Sequence, residues 1–103
     1  MPNEEKAMVL NVTYTVKSGC AKAFYDEANA AGIPQKSRAE AGCLRYEYYL
    51  PMEKENELLL IEVWKDHAAQ KAHMETEHFK QLGGIKAKYV LETKMEEFIE
   101  ADR

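Results

Sequence analysis

The chain has 103 residues, 46% hydrophobic and 31% charged, with a formal net charge of −4. A domain of this length buries only about 60–65% of the surface of its unfolded chain, so association with a second copy would add usefully to its core. The acidic balance and the lack of a basic run argue against nucleic acid or a membrane surface as partner, because few cations are available to neutralise phosphate.

Residues 1–7 read as an N-terminal tail and residues 8–103 as one domain. The opening is polar and acidic, and the apolar run over 7–10 is too short for a signal peptide. No stretch approaches the ~20 apolar residues of a membrane span. Cys20 and Cys43 form no C-x-x-C pair, so no zinc or thioredoxin-type site is signalled. A cytoplasmic protein with reduced thiols is expected.

Residues 8–17 are rich in β-branched side chains and predict a strand. Ser18 and Gly19 make a turn, with Ser18 placed to cap a helix over 20–31. Ala21, Phe24, Ala28 and Ala31 form the apolar face of that helix. Gly32 suits its end, Pro34 follows, and 35–41 predict another short helical turn before Gly42. Residues 43–50 predict a second strand, 51–57 a polar hairpin loop, and 58–65 a third strand apolar enough to be buried on both faces. Asp66 is a suitable N-cap for a helix over 67–82, which Gly83-Gly84 should end. A last strand falls over 89–99.

The order β-α-β-β-α-β is the ferredoxin-like arrangement, an α+β fold with a four-stranded antiparallel sheet and two helices on one face. By the period of two, Met8, Leu10, Val12, Tyr14 and Val16 share one side of the first strand. Leu59, Ile61 and Val63 share one side of the third, opposite Leu58, Leu60, Glu62 and Trp64. Both sheet faces therefore carry apolar residues while helices cover only one. A second copy of the chain is the economical cover for the other, which predicts a homodimer.

The segment Ile61–Phe79 reads IEVWKDHAAQKAHMETEHF. It holds Glu62 and Trp64, the acidic cap Asp66, Ala69, His73 nine residues after the tryptophan, and then His78-Phe79. Upstream, Ala41-Gly42-Cys43-Leu44-Arg45-Tyr46 enters the second strand. Together these segments resemble the antibiotic biosynthesis monooxygenase family, with Ala41 in place of the family's usual proline. The resemblance runs from Val9 to about Phe98. It implies two sheets packed as a dimeric β-barrel, with a ligand pocket between each sheet and its helices. Within the family are cofactor-free monooxygenases of polyketides and quinols, haem-degrading enzymes and an isomerase. Haem-degrading members use an asparagine in the first strand, a tryptophan in the second helix and an axial histidine near that helix's end. Here those positions fall on Asn11, His73 and close to Gly83. A haem site is not implied, and His73 and His78 are the remaining candidates for an iron ligand.

His73, on the apolar face of the second long helix, is the candidate catalytic base. In an unbroken helix His78 is rotated by roughly 140° from it, so the two converge only if the helix kinks. Trp64 and Phe79 are candidates to wall the pocket and stack on a flat substrate. Glu62 is a carboxylate in an apolar strand and needs a partner, with Arg45 and His73 as candidates, unless it serves a ligand. Asn11 is placed on the pocket face, to bond a substrate oxygen. Tyr46 and Tyr48 belong to sheet packing, with either able to donate to a ligand.

No nucleotide loop or metal-ligand cluster is visible in the sequence. The expected activity is cofactor-independent monooxygenation of a small phenolic or quinol-type substrate, with dioxygen as co-substrate. An isomerase using the same base, or a dimeric binding protein without catalysis, are the alternatives.

Overall fold

The computed structural model describes residues 6–99. Four strands, β1 (Met8–Val16), β2 (Cys43–Tyr49), β3 (Glu57–Trp64) and β4 (Val90–Ile99), form one antiparallel sheet in the order β2-β3-β1-β4. Four helices, α1 (Ala21–Ala30), α2 (Ile33–Arg38), α3 (His67–His73) and α4 (Glu77–Tyr89), complete the chain. The ferredoxin-like order is as expected, with each helical stretch divided in two. Among the described residues, no helix is long and apolar enough to cross a membrane. Most of the expected tail, and the chain beyond Ile99, lie outside the described residues.

The period of two decides which side chains enter the core. In β1 every second residue from Met8 to Val16 is buried, and the residues between are half-buried. Register then matches the strands. Leu10 stands opposite Glu62, Val12 opposite Leu60 and Tyr14 opposite Leu58. The helix side of β3 is thus Leu58, Leu60, Glu62 and Trp64, and Leu59, Ile61 and Val63 face away with Val9, Asn11 and Thr13. On the helix side, Phe24 of α1 meets the Tyr14 ring edge-on, with centroids 5.3 Å apart. Each large apolar side chain buried here is worth about 1.5–3 kcal/mol.

Helix boundaries differ from expectation in three places, each for a local reason. Ser18 does not cap α1. The N-cap is Cys20, which makes no side-chain cap bond. Gly32 adopts a left-handed φ of 76°, ending α1 and opening α2, where Pro34 takes the first turn. The third difference reshapes the site. Gly83-Gly84 do not end a helix but lie inside α4, whereas the break falls at Met74–Thr76. Thr76 Oγ1 accepts from the Phe79 amide and donates to the His73 carbonyl at 2.7 Å, so it starts one helix while closing another. Two helical glycines cost about 1 kcal/mol each. Burial of Leu82 and Ile85 on either side of them offsets that cost.

Asp66 caps α3 as expected, its Oδ1 accepting from the Ala69 amide at 2.8 Å. Gly42 packs against the same turn. Its carbonyl accepts from the Lys65 amide at 2.8 Å, and a Cβ at position 42 would overlap the Ala69 methyl. Gly42→Ala is therefore expected to destabilise the fold by about 1–3 kcal/mol, the usual range for overpacking, as read by thermal unfolding.

Candidate active site

The loop between α2 and β2 sets the position of Glu40. Its amide bonds the Ser37 carbonyl and its own carbonyl accepts from the Cys43 amide, while the Arg38 Nε holds the Tyr46 carbonyl at 2.8 Å. The Glu40 carboxylate then reaches the break between α3 and α4. One oxygen, Oε2, contacts His73 Nδ1 at 2.6 Å and His78 Nε2 at 2.7 Å. An ionised carboxylate only accepts, so both ring nitrogens carry hydrogen toward it. In neutral His73 this leaves Nε2 unprotonated, a base whose tautomer is fixed by its neighbour.

The kink makes this convergence possible. His73 and His78 would diverge on a continuous helix, but across the break their ring centroids are 5.7 Å apart. His73 is only 2% exposed. Its ring lies 4.6 Å from Trp64, tilted by 34°, with Phe79 edge-on at 5.3 Å and Tyr46 at 5.8 Å.

A partly open cavity of ≈ 110 Å³ lies beside that ring, between sheet and helices. Tyr14, Tyr46 and Glu62 line it from three strands, His73 from α3, and Phe79 and Lys86 from α4. Thr93 and Met95 of β4, both exposed, form its rim. Gly83 also borders it, and a Cβ there would meet nothing within 4 Å, so the glycine keeps that wall thin.

The electrostatics are those of a partly desolvated site. Burial raises the Glu62 pKa, opposed by the Trp64 Nε1–H that donates to Oε1 at 2.9 Å. Burial lowers the Lys86 pKa, opposed by the nearby Glu62 charge. Both groups are thus pushed toward neutrality. Tyr46 and Tyr48 are also raised by burial, Tyr48 to about 12. Their hydroxyls interact, which raises Tyr46 and lowers Tyr48, and neither has another hydrogen-bond partner among the described residues. A buried unpaired hydroxyl on a cavity wall is a donor ready for a ligand.

Glu62 supplies a pH test. Its folded pKa lies above the ordinary 4.5, so the folded state holds its proton more tightly than the unfolded chain does. Ionised Glu62 therefore costs stability, a cost absent below that ordinary value and growing as pH rises through the folded one. The difference in melting temperature between Glu62→Gln and the wild-type protein is expected to move in the variant's favour across that window. A pH-independent difference would contradict the assignment.

Four of the expected site residues come together here, and two do not serve as expected. His73, Glu62 and Phe79 line the cavity, and His78 joins through Glu40. Asn11 is on the wrong face. It stands opposite Ile61 and Glu96, on the side of the sheet away from His73, because its neighbours Leu10 and Val12 take the helix side. Trp64 is 0% exposed and lies against His73 instead of walling the cavity. Glu62 pairs with Trp64, while Arg45 bonds Glu47 and Tyr49. The sequence reading missed Glu40 and Lys86. Glu40 is 33 and 38 positions from its partners, so no local spacing signals it. Lys86 lay beyond the expected helix end.

Comparison with known proteins follows the same lines. The model of the antibiotic biosynthesis monooxygenase family matches residues 7–83. The chain belongs to that family. It is 39% identical over 72 residues, 70% of this chain and 74% of the other, to "Putative monooxygenase YcnE" of Bacillus subtilis (strain 168). Its fold superposes on the crystal structure of PA3566 from Pseudomonas aeruginosa with a TM-score of 0.85 and 29% identity, covering 98% of this chain and 100% of that one. Protein SO0527 from Shewanella oneidensis shares the fold at TM-score 0.83 and 21% identity, covering 95% and 93%. The span matched by the antibiotic biosynthesis monooxygenase family includes Glu40, Glu62, His73 and His78. Lys86, Thr93 and Met95 of the cavity wall fall beyond it.

Proposed function

We propose that this protein is a cofactor-independent monooxygenase of a small, single-ring phenol or hydroquinone. The observation that carries the reading is the buried His73, its Nδ1 held by Glu40 and its ring bordering a small cavity between sheet and helices. Cavity size favours one ring. At ≈ 110 Å³ it is on the scale of the ~150 Å³ space that accommodates benzene, and smaller than a site for a drug-sized molecule.

His73 Nε2 takes the hydroxyl proton of the bound phenol, and Glu40 stabilises the imidazolium that forms. The phenolate oxygen is held by the Lys86 ammonium and the Tyr46 hydroxyl, the roles expected of Asn11. An electron-rich phenolate can pass one electron to dioxygen, and the two radicals then join through a new carbon–oxygen bond. When the O–O bond breaks, that carbon loses its hydrogen and the products are a quinone and water. The substrate supplies every electron, so the protein needs only to take the proton, hold the anion and exclude water.

The test is oxygen consumption with a series of single-ring phenols and hydroquinones and no added cofactor. Uptake matched by quinone formation is expected, and Lys86→Met is expected to slow it by at least about tenfold, in line with loss of a charged contact to a developing anion. Turnover without oxygen uptake would instead favour an isomerase, for which the same base and cation suffice.

We further infer that the active species is a homodimer built on the open sheet face. Val9, Thr13, Leu59, Ile61 and Val63 sit there half-buried with no helix above them. Light scattering coupled to size exclusion should give twice the chain mass, and a monomer at micromolar concentration would refute the assembly.

A further inference from the structure

The contacts around Glu40 have a meaning beyond acid–base catalysis. Three ligand-type atoms, Glu40 Oε2, His73 Nδ1 and His78 Nε2, lie within 4.8 Å of one another. They come from three separate segments: the loop before β2, the end of α3 and the first turn of α4. Two imidazoles and one carboxylate are a donor set that suits zinc and neighbouring first-row ions. We propose that Glu40, His73 and His78 form a binding site for one divalent first-row transition ion of the zinc type.

The geometry needs little change to accept it. Zinc binds imidazole nitrogen and carboxylate oxygen at about 2.0–2.2 Å, so tetrahedral ligands stand about 3.4 Å apart. The two imidazole nitrogens now lie 2.6 and 2.7 Å from the shared oxygen. Withdrawal of the Glu40 carboxylate by less than about 1 Å brings both of its distances to that spacing, Glu40 sits on a loop, and the two imidazole nitrogens, within 4.8 Å of one another, close on the ion by side-chain rotation. Its side chain is 17% exposed and that of His78 13%, so an ion has a path in, while His73 at 3% anchors the site from inside. With three protein ligands a fourth position stays open to water.

Neither Glu40 nor His78 lines the cavity, so the ion stands outside it and takes no part in the oxygen chemistry. Its effect passes through His73. A neutral imidazole bound to metal at Nδ1 keeps its hydrogen at Nε2. The loaded protein therefore presents a donor to the cavity in place of a base, and metal occupancy opposes proton abstraction. That consequence, unlike the site itself, rests on the function proposed above.

The experiment measures binding without turnover. Chelator-treated, tag-free protein is titrated with Zn²⁺ by calorimetry, and with Co²⁺ followed by visible absorption. One ion per chain is expected, with affinity reduced at least tenfold in His78→Ala. Long-range ¹H–¹⁵N spectra of the wild-type protein give a second readout that needs no variant: Zn²⁺ should shift Nδ1 of His73 and Nε2 of His78. No binding, binding unaffected by His78→Ala, or unmoved ring nitrogens would each overturn the proposal. The acid–base reading would survive that outcome, since neither measurement involves a substrate.

Discussion

Replacing His73 with alanine is expected to reduce substrate-dependent oxygen uptake by about 10²–10⁴-fold, the range a positioned general base supplies. The ring is 2% exposed, borders the cavity and is fixed through Nδ1, so its Nε2 is the positioned base of the proposed reaction. Glu40 keeps its bond to His78 in the variant, which limits the structural damage. Thermal unfolding of the same sample separates lost chemistry from lost fold. Glu40→Gln should produce a smaller loss, because an amide can still meet the imidazole but no longer stabilises its charged form. A folded His73→Ala protein that keeps full activity would remove the base from the mechanism.

Trp64→Ala is expected to have the largest effect on stability, about 3–5 kcal/mol. For a small domain with a total stability of about 5–15 kcal/mol, that is a large share. Two terms act together. The side chain is 0% exposed, so its removal leaves a cavity beneath His73. The Nε1–H is also the hydrogen-bond partner of buried Glu62. Trp64→Phe separates them by keeping most of the volume while losing the donor, and should cost about 1–3 kcal/mol, the penalty of leaving a buried acceptor unsatisfied. Urea titration of the three proteins measures both numbers. Equal losses in the two variants would mean that the hydrogen bond outweighs the packing.

Much of this architecture follows from local chemistry that a sequence displays. The β-branched alternation of 8–17 and the apolar run of 58–65 predict strands that are present as β1 and β3. Asp66 caps the helix expected after it. His73 is buried beside Phe79 as its helical position implies. These features are legible because the repeat of a strand or helix sets which side chain faces inward, independently of anything distant.

The remainder depends on contacts that no local rule encodes. Whether Asn11 faces the cavity turns on the parity of one residue in β1, settled by the pairing of Leu10 with Glu62 and of Val12 with Leu60. Gly83-Gly84 ends a helix by propensity, yet burial of the flanking Leu82 and Ile85 carries α4 to Tyr89 and brings Lys86 to the cavity. The break at Thr76 turns His78 toward His73, and a loop glutamate far away in sequence receives both. Sequence by itself determined the strands, the order of elements and the family of this protein, since periodicity and short motifs are properties of neighbouring residues. Only the tertiary structure decided the site, because a hydrogen bond between Glu40 and His73 exists only once the sheet register and the helix break have set where the chain lies.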